Sequence, residues 1–206
     1  KEIAVECGFI APIYTVTGWN SASGAKIPVD EVVPVFGGYC EAPWENHMNR
    51  LSPSPHYFFN RMRNDSAIGT DLIAKTQSDG WQLPYERYPF ATCELGGGIE
   101  VTHHRRPIIK PMDIFAVSLV KLGDGNNLVG YYMYHGGTNP KGKLSSLQES
   151  TAVGSFCDVP ELSYDFQAPI REYGQISETA KELKLLSMFA HDYGETFCNM
   201  QPQFAG

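Results

Sequence analysis

The chain has 206 residues, of which 42% are hydrophobic and 19% charged, and its formal net charge is −7. This is the composition of an ordinary globular protein with enough apolar residues for one core. The acidic balance argues against nucleic acid as a partner, because surfaces that bind nucleic acid are basic, and no apolar run reaches the length of a membrane span.

The cysteine pattern bounds the redox chemistry. Five cysteines are widely spaced and include no Cys-x-x-Cys pair: Cys7, Cys40, Cys93, Cys157 and Cys198. Such spacing predicts neither a disulfide framework nor a zinc site. We expect mostly free, buried thiols, at most one bridge if the protein is exported, and no bound metal or cofactor.

The first elements are a helix end and a strand. Residues 1–8 have the pattern of the last turns of a helix, with Ile3 on its apolar face and Gly8 as its C-terminal stop. A helix tail at the start of the chain predicts a fragment of a longer protein. Residues 9–17 are rich in β-branched and aromatic side chains, which predicts a strand that ends before Gly18 and Trp19.

Three further strands follow. Residues 32–36 form a nearly continuous apolar run, as in a strand buried on both faces, and Tyr39 comes shortly after it. Residues 90–93 predict a short buried strand that is followed directly by Glu94 and then, after Leu95, by three glycines. Glycines at a strand end let the backbone turn sharply and let other groups approach it closely. Residues 128–134 predict the fourth strand.

Helices are predicted between and after the later strands. Pro111 suits the first turn of a helix over 111–122, and a closing amphipathic helix starts after Ser177 and ends at Gly194. Residues 56–63 and 67–75 look partly helical. The apolar face of the closing helix comprises Ile176, Ala180, Leu183, Leu186 and either Phe189 or Ala190.

The predicted order is a strand, a loop and a helix, repeated four times, within a single domain over residues 1–206. Such an order favours an α/β fold with parallel strands and crossover helices. Four units are half of the eight that close a (β/α)8 barrel. We therefore expect a partial barrel.

The four strand ends carry similar side chains. Aromatic rings or a carboxylate follow or end every predicted strand: Trp19, Tyr39, Glu94 and Tyr132. Parallel strands would bring these ends to one edge, where rings would stack on the apolar face of a sugar and carboxylates and amides would bind its hydroxyl groups. The alternative is that each aromatic residue is a half-buried packing residue and that Glu94 is an exposed residue at a glycine turn.

Five segments carry a family resemblance. They are 12–19, 37–44, 92–94, 132–139 (Tyr-Met-Tyr-His-Gly-Gly-Thr-Asn) and 164–174 (Tyr-Asp-Phe-Gln-Ala-Pro-Ile-Arg-Glu-Tyr-Gly). Together they resemble glycoside hydrolase family 35, the β-galactosidase family. The segments 132–139 and 164–174 are the most specific. The resemblance implies strands five to eight of a catalytic (β/α)8 barrel and a carbohydrate substrate. It also favours an exported protein.

The family implies a retaining reaction with two carboxyl groups. By motif position Glu94 corresponds to the nucleophile, and Tyr132 and Tyr164 correspond to residues that line the galactose pocket. Tyr39 corresponds to a hydroxyl group that holds the nucleophile's carboxylate, and Trp19 and Trp44 are further candidates for substrate binding. In the family the residue that acts as general acid and base is a Glu that follows an Asn at the end of strand four. This chain contains no Asn-Glu pair.

Two expectations follow from the missing acid/base and the missing strands. The chain alone should be inactive or nearly so, and it should self-associate, because half a barrel exposes a sheet edge. The segment after Glu94 departs from the aromatic-rich stretch of the family, which leaves the sugar undecided. The alternative function is a barrel that binds carbohydrate without cleaving it.

Overall fold

A computed structural model describes residues 1–16, 30–41, 49–63, 84–102, 105–143 and 162–204. The helices and strands are α1 Glu2–Glu6, β1 Tyr14–Val16, β2 Val33–Gly38, β3 Phe90–Gly96, α2 Pro111–Gly123, β4 Asn126–Tyr132, β5 Gly137–Thr138, β6 Ser163–Tyr164 and α3 Glu178–Cys198. Single turns of 3-10 helix lie at Pro55–Tyr57 and Tyr85–Arg87.

The four longer strands form one sheet in chain order, β1-β2-β3-β4, and every neighbouring pair is parallel. This confirms the prediction of parallel strands, and the fold is α/β. A small antiparallel pair, β5 and β6, follows β4 and was not predicted. Its strands have only two residues each, which is too short for an alternating pattern to be recognised in the sequence.

Several predicted strand boundaries are wrong. β1 covers only Tyr14–Val16, and the preceding Phe9 and Ile10 are exposed. β3 does not end before Glu94 but continues to Gly96, because Leu95 and Gly96 still pair with β4. β4 starts and ends two residues earlier than predicted. In each case pairing with a neighbouring strand, and not the apolar run itself, sets the limit of the strand.

The helices follow the sequence signals more closely. Pro111 starts α2, and the main-chain amide of Lys110 donates to Asp113 at 2.9 Å in the first turn. Gly8 has a φ of 81°, as expected of a residue that follows a helix. In the segment predicted as partly helical over 56–63, only the turn at Pro55–Tyr57 is helical. Residues 67–75 lie outside the described part of the chain.

The prediction that α3 ends at Gly194 is wrong, because the helix continues to Cys198. A glycine inside a helix costs only about 1 kcal/mol. Phe189 packs on Phe197 across this position, with ring centroids 5.4 Å apart. Leu183 and Leu186 on the predicted apolar face are buried, whereas Ile176 is 62% exposed.

The core lies on both sides of the carboxyl ends of β2 and β3. One cluster joins the sheet to α2 and α3 and comprises Cys40, Leu95, Ile114, Val117 and Leu183. A second cluster lies beyond the strand ends and comprises Tyr39, Ile99, Phe166 and Ala168. The second cluster forms the floor of the candidate site.

The described cysteines are all free, but only Cys40 is buried, while Cys7 and Cys198 are exposed. The expectation of buried thiols is therefore wrong for those two, which lie at helix ends. Cys157 lies outside the described residues. Within the described ranges, no helix combines the length and the apolar character needed to span a bilayer.

Candidate active site

Glu94 and Tyr39 point to the same side of the sheet. The next residue on each segment, Leu95 and Cys40 respectively, packs with α2 and α3. Because successive side chains of extended backbone alternate in direction, Glu94 and Tyr39 point away from the helices. Gly37 pairs with Glu94 across the sheet, and a Cβ on Gly37 would lie 3.2 Å from the Cβ of Glu94. The glycine thus leaves room for the glutamate.

A hydrogen bond joins these two side chains. The Tyr39 hydroxyl donates to Oε1 of Glu94 at 2.7 Å, and the exposed fractions of Tyr39 and Glu94 are 2% and 5%. Burial, followed by the charge of Glu94, raises the pKa of Tyr39 well above its ordinary value. Tyr39 therefore stays protonated and acts as a hydrogen-bond donor.

The carboxyl group of Glu94 is poised for chemistry near neutral pH. Burial raises its pKa to about 7, and the hydrogen bond from Tyr39 acts in the opposite direction. A carboxylate that is removed from water and oriented by one phenol has oxygen lone pairs that few hydrogen bonds occupy, so they are available to a reacting group. Such a group can act as a nucleophile, a base or an acid.

Three further aromatic residues complete a cluster around this carboxyl. The Phe166 ring lies between Tyr132, Tyr164 and Tyr39, with centroid distances of 5.4, 5.7 and 6.2 Å respectively. The Tyr132 hydroxyl donates to that of Tyr164 at 3.2 Å. The structure thus brings together four of the predicted residues, Glu94, Tyr39, Tyr132 and Tyr164. With Phe166 they form the group that we call the Glu94 cluster.

The three glycines after Leu95 let other groups approach closely. A Cβ on Gly96 would lie 2.5 Å from the Tyr39 ring, one on Gly97 would lie 2.3 Å from the carbonyl oxygen of Met133, and one on Gly98 would lie 2.1 Å from that of Phe166. None of these glycines has a positive φ. They are required for space and not for a left-handed backbone.

An ion pair and hydrogen bonds fix the segment that carries Tyr164 and Phe166. Nε of Arg171 donates to both carboxylate oxygens of Asp165, at 2.9 and 2.7 Å, and the main-chain amide of Glu172 donates to Asp165 at 2.9 Å. Burial would raise the pKa of Asp165, but these hydrogen bonds outweigh it and hold the pKa below its ordinary value. The Ser163 hydroxyl donates to Glu172 at 2.7 Å.

A family model for glycosyl hydrolases family 35 matches residues 29–189. The chain belongs to this family. It is the β-galactosidase family of glycoside hydrolases, so membership implies a glycosidase parent and a carbohydrate substrate. The match spans every residue of the Glu94 cluster, and the four-stranded parallel sheet is consistent with a partial family 35 barrel.

The structure adds residues that the sequence reasoning missed. Phe166 and Gln167 lie inside the most family-like segment, but their left-handed backbone, with φ of 58° and 49°, has no signal in the sequence. Glu100 is a second buried carboxyl, and burial raises its pKa to about 7. Its position six residues after Glu94 in a glycine-rich stretch gave no reason to expect burial.

Two predicted site residues, Trp19 and Trp44, lie outside the described residues and stay predictions. Within the described part, no group of three or more His, Cys, Asp or Glu side chains is arranged to hold a metal ion.

Proposed function

We propose that this chain carries the nucleophile half of a retaining β-galactosidase-like site and that Glu94 is the nucleophile. The observation that supports the proposal best is the buried Glu94 carboxyl, hydrogen-bonded to Tyr39 beside the pair of tyrosine hydroxyls. A nucleophile needs a fixed orientation and little competition from water. Both conditions hold for Glu94.

The reaction has two displacements. In the first, a Glu94 oxygen forms a bond to the anomeric carbon while the bond to the leaving oxygen breaks, and a second carboxyl group donates the proton to that oxygen. In the second, water attacks the anomeric carbon, its proton passes to the second carboxyl, and Glu94 is released. Tyr39 keeps the attacking oxygen in place and stabilises the carboxylate that returns.

The proton donor belongs, in this proposal, to strand four of the family's barrel, and this chain supplies strands five to eight. A retaining pair of carboxyls lies about 5 Å apart. The sequence contains no Asn-Glu pair of the kind that carries the family's proton donor. We therefore expect little or no turnover from the chain by itself.

Tyr132 and Tyr164 are the proposed sugar-binding residues. Tyr132 is 37% exposed, and the two hydroxyls lie within hydrogen-bond distance of each other. A phenol offers a flat apolar face to a pyranose ring and a donor and acceptor to its hydroxyl groups. Trp19 and Trp44 are proposed to extend this surface.

The test uses the chain joined to the first half of a family 35 barrel, with aryl β-galactosides and other aryl glycosides as substrates. We expect Glu94→Gln to lower kcat/KM by about 10⁴-fold or more. The matched control is Glu86→Gln, because Glu86 is an exposed carboxyl in the turn before β3. Full activity of Glu94→Gln would refute the assignment.

A carbohydrate-binding barrel without activity is the second candidate function. The pair of Tyr132, which is exposed, and Tyr164, which is half-buried, favours binding as much as catalysis, because stacking needs no nucleophile. Binding of galactosides without turnover in the joined protein, together with no covalent 2-fluoro-galactosyl adduct on Glu94 by mass spectrometry, would support this alternative.

A further inference from the structure

A strained corner follows β6. Phe166 and Gln167 both have left-handed backbone, with φ of 58° and 49°. Each non-glycine residue in this region costs about 1 kcal/mol or more, so the conformation persists only where surrounding contacts hold it. The contacts that hold this corner also reach the Glu94 cluster.

The side-chain amide of Gln167 supplies three of these contacts. Its Nε2 donates to the carbonyl oxygens of Pro107 at 2.9 Å and Ile99 at 3.2 Å, and its Oε1 accepts from the amide of Ile109 at 3.2 Å. All three partners are main-chain groups of one segment, 99–109, which directly follows the glycines. One side chain thus ties the corner to the chain that leaves Glu94.

The Phe166 ring transmits the position of the corner to the site. It is 5% exposed and contacts the rings of Tyr39, Tyr132 and Tyr164. The main-chain carbonyl oxygen of Phe166 would lie 2.1 Å from a Cβ added to Gly98. The corner and the glycine segment after β3 are therefore in direct contact. A shift of the corner would therefore move the ring on which Tyr39, the partner of Glu94, packs.

We propose that Gln167 is a positioning residue of the active site, whose amide holds the Phe166 ring against the three tyrosines and so keeps Glu94 dry and bonded to Tyr39. The catalytic role of Glu94 rests on the proposed function. The contacts that link Gln167 to the Glu94 cluster are observed in the structure and do not depend on that role. Gln167 acts through Phe166 and touches no reacting atom.

The test is the titration of Glu94 in the chain labelled with ¹³C at the glutamate carboxyl carbons, with the signal assigned by Glu94→Gln. Asn occupies the left-handed region more readily than Gln but is one methylene too short to keep all three hydrogen bonds, so Gln167→Asn removes contacts from the corner without adding backbone strain. Burial is the larger cause of the Glu94 shift, so water entry should lower the Glu94 pKa from about 7 toward the ordinary 4.5. The matched control is Gln175→Asn, since Gln175 makes an exposed hydrogen bond to the Tyr173 amide.

A lowered Glu94 pKa in folded Gln167→Asn, with no change in Gln175→Asn, supports the proposal. An unchanged Glu94 pKa in folded Gln167→Asn overturns it, even if the variant is less stable, because Gln167 would then be only structural. If Gln167→Asn does not fold, Gln167→Met is titrated instead, since it keeps the length of the side chain, removes its hydrogen bonds and adds no charge near Glu94. Failure of both variants to fold also overturns the proposal. No turnover is measured, so the result is independent of whether Glu94 proves to be the nucleophile.

Discussion

At Glu94, burial and a single hydrogen bond act on the same carboxyl group in opposite directions. Burial raises the pKa to about 7, and the Tyr39 hydroxyl, at 2.7 Å, favours the ionised form. A nucleophile must be ionised, so Tyr39 sets how much of the protein is competent at a given pH.

Replacement of Tyr39 by Phe should therefore raise the pKa of Glu94 above its wild-type value. The phenyl ring keeps the packing but cannot donate to the carboxylate. ¹³C titration of the labelled chain measures the change, and in the joined barrel the acidic limb of the kcat/KM profile should move to higher pH. Tyr57→Phe is the control, because the Tyr57 hydroxyl donates to Asp113 on α2, away from the cluster. A Glu94 pKa that stays the same or falls in Tyr39→Phe would contradict this account.

At the scale of elements, close backbone approach joins β3 to the segments after β4 and β6. The replacement Gly98→Ala would place a Cβ 2.1 Å from the Phe166 carbonyl oxygen and 2.6 Å from that of Gln167. Because both obstacles are main-chain atoms, one segment must move. We expect a loss of about 1–3 kcal/mol in the free energy of unfolding, as for other overpacked sites.

Urea denaturation of Gly98→Ala and of Gly137→Ala measures this effect. Gly137 is a matched control because an added Cβ there meets no atom of the described residues within 4 Å, and its φ is not positive. Equal stability of the two variants would show that the close approach at Gly98 is not needed.

A buried ion pair at the end of α2 is also linked to the segment 49–63. Lys121 and Asp124 are 2.7 Å apart with side chains 1% exposed, and Asp124 also accepts from the main-chain amide of Asn60 at 3.1 Å. Lys121→Met would leave Asp124 buried without its cation, so we expect a loss of about 3–5 kcal/mol by urea denaturation. Lys181→Met breaks an exposed pair on α3 and should cost less than about 1 kcal/mol. A similar loss in both variants would contradict the distinction.

At the scale of the whole molecule, part of the sheet is not covered by the described helices. A cavity of about 590 Å³ lies against it, lined largely by apolar residues of β1 to β4 and by none from α2 or α3 among the described residues. Its walls include Tyr14, Val33, Val35, Ala91 and Leu128. Parallel sheets are stable when both faces are covered, and within the described part of the chain β1 and β4 are the edges of this one.

We therefore predict that the chain self-associates into a dimer or a larger species. Light scattering coupled to size-exclusion chromatography at rising concentration measures the mass. Leu128→Lys, at a 58% exposed position on the edge strand β4, should shift the distribution toward the monomer, whereas Leu185→Lys, at a 63% exposed position on α3, should not. A monomeric mass for the unmodified chain at high concentration would refute this prediction.

The sequence by itself determined the parallel α/β order, the start of α2 at Pro111 and the family, because these depend on local periodicity, turn residues and motifs. It also identified Glu94, Tyr39, Tyr132 and Tyr164 as candidates. Only the tertiary structure decided that the three tyrosines meet around Phe166, that Tyr39 donates to Glu94, that Glu94 lies inside β3, and that α3 passes through Gly194. Those outcomes depend on strand pairing, ring packing and main-chain approach between segments tens of residues apart, and no local pattern encodes such contacts.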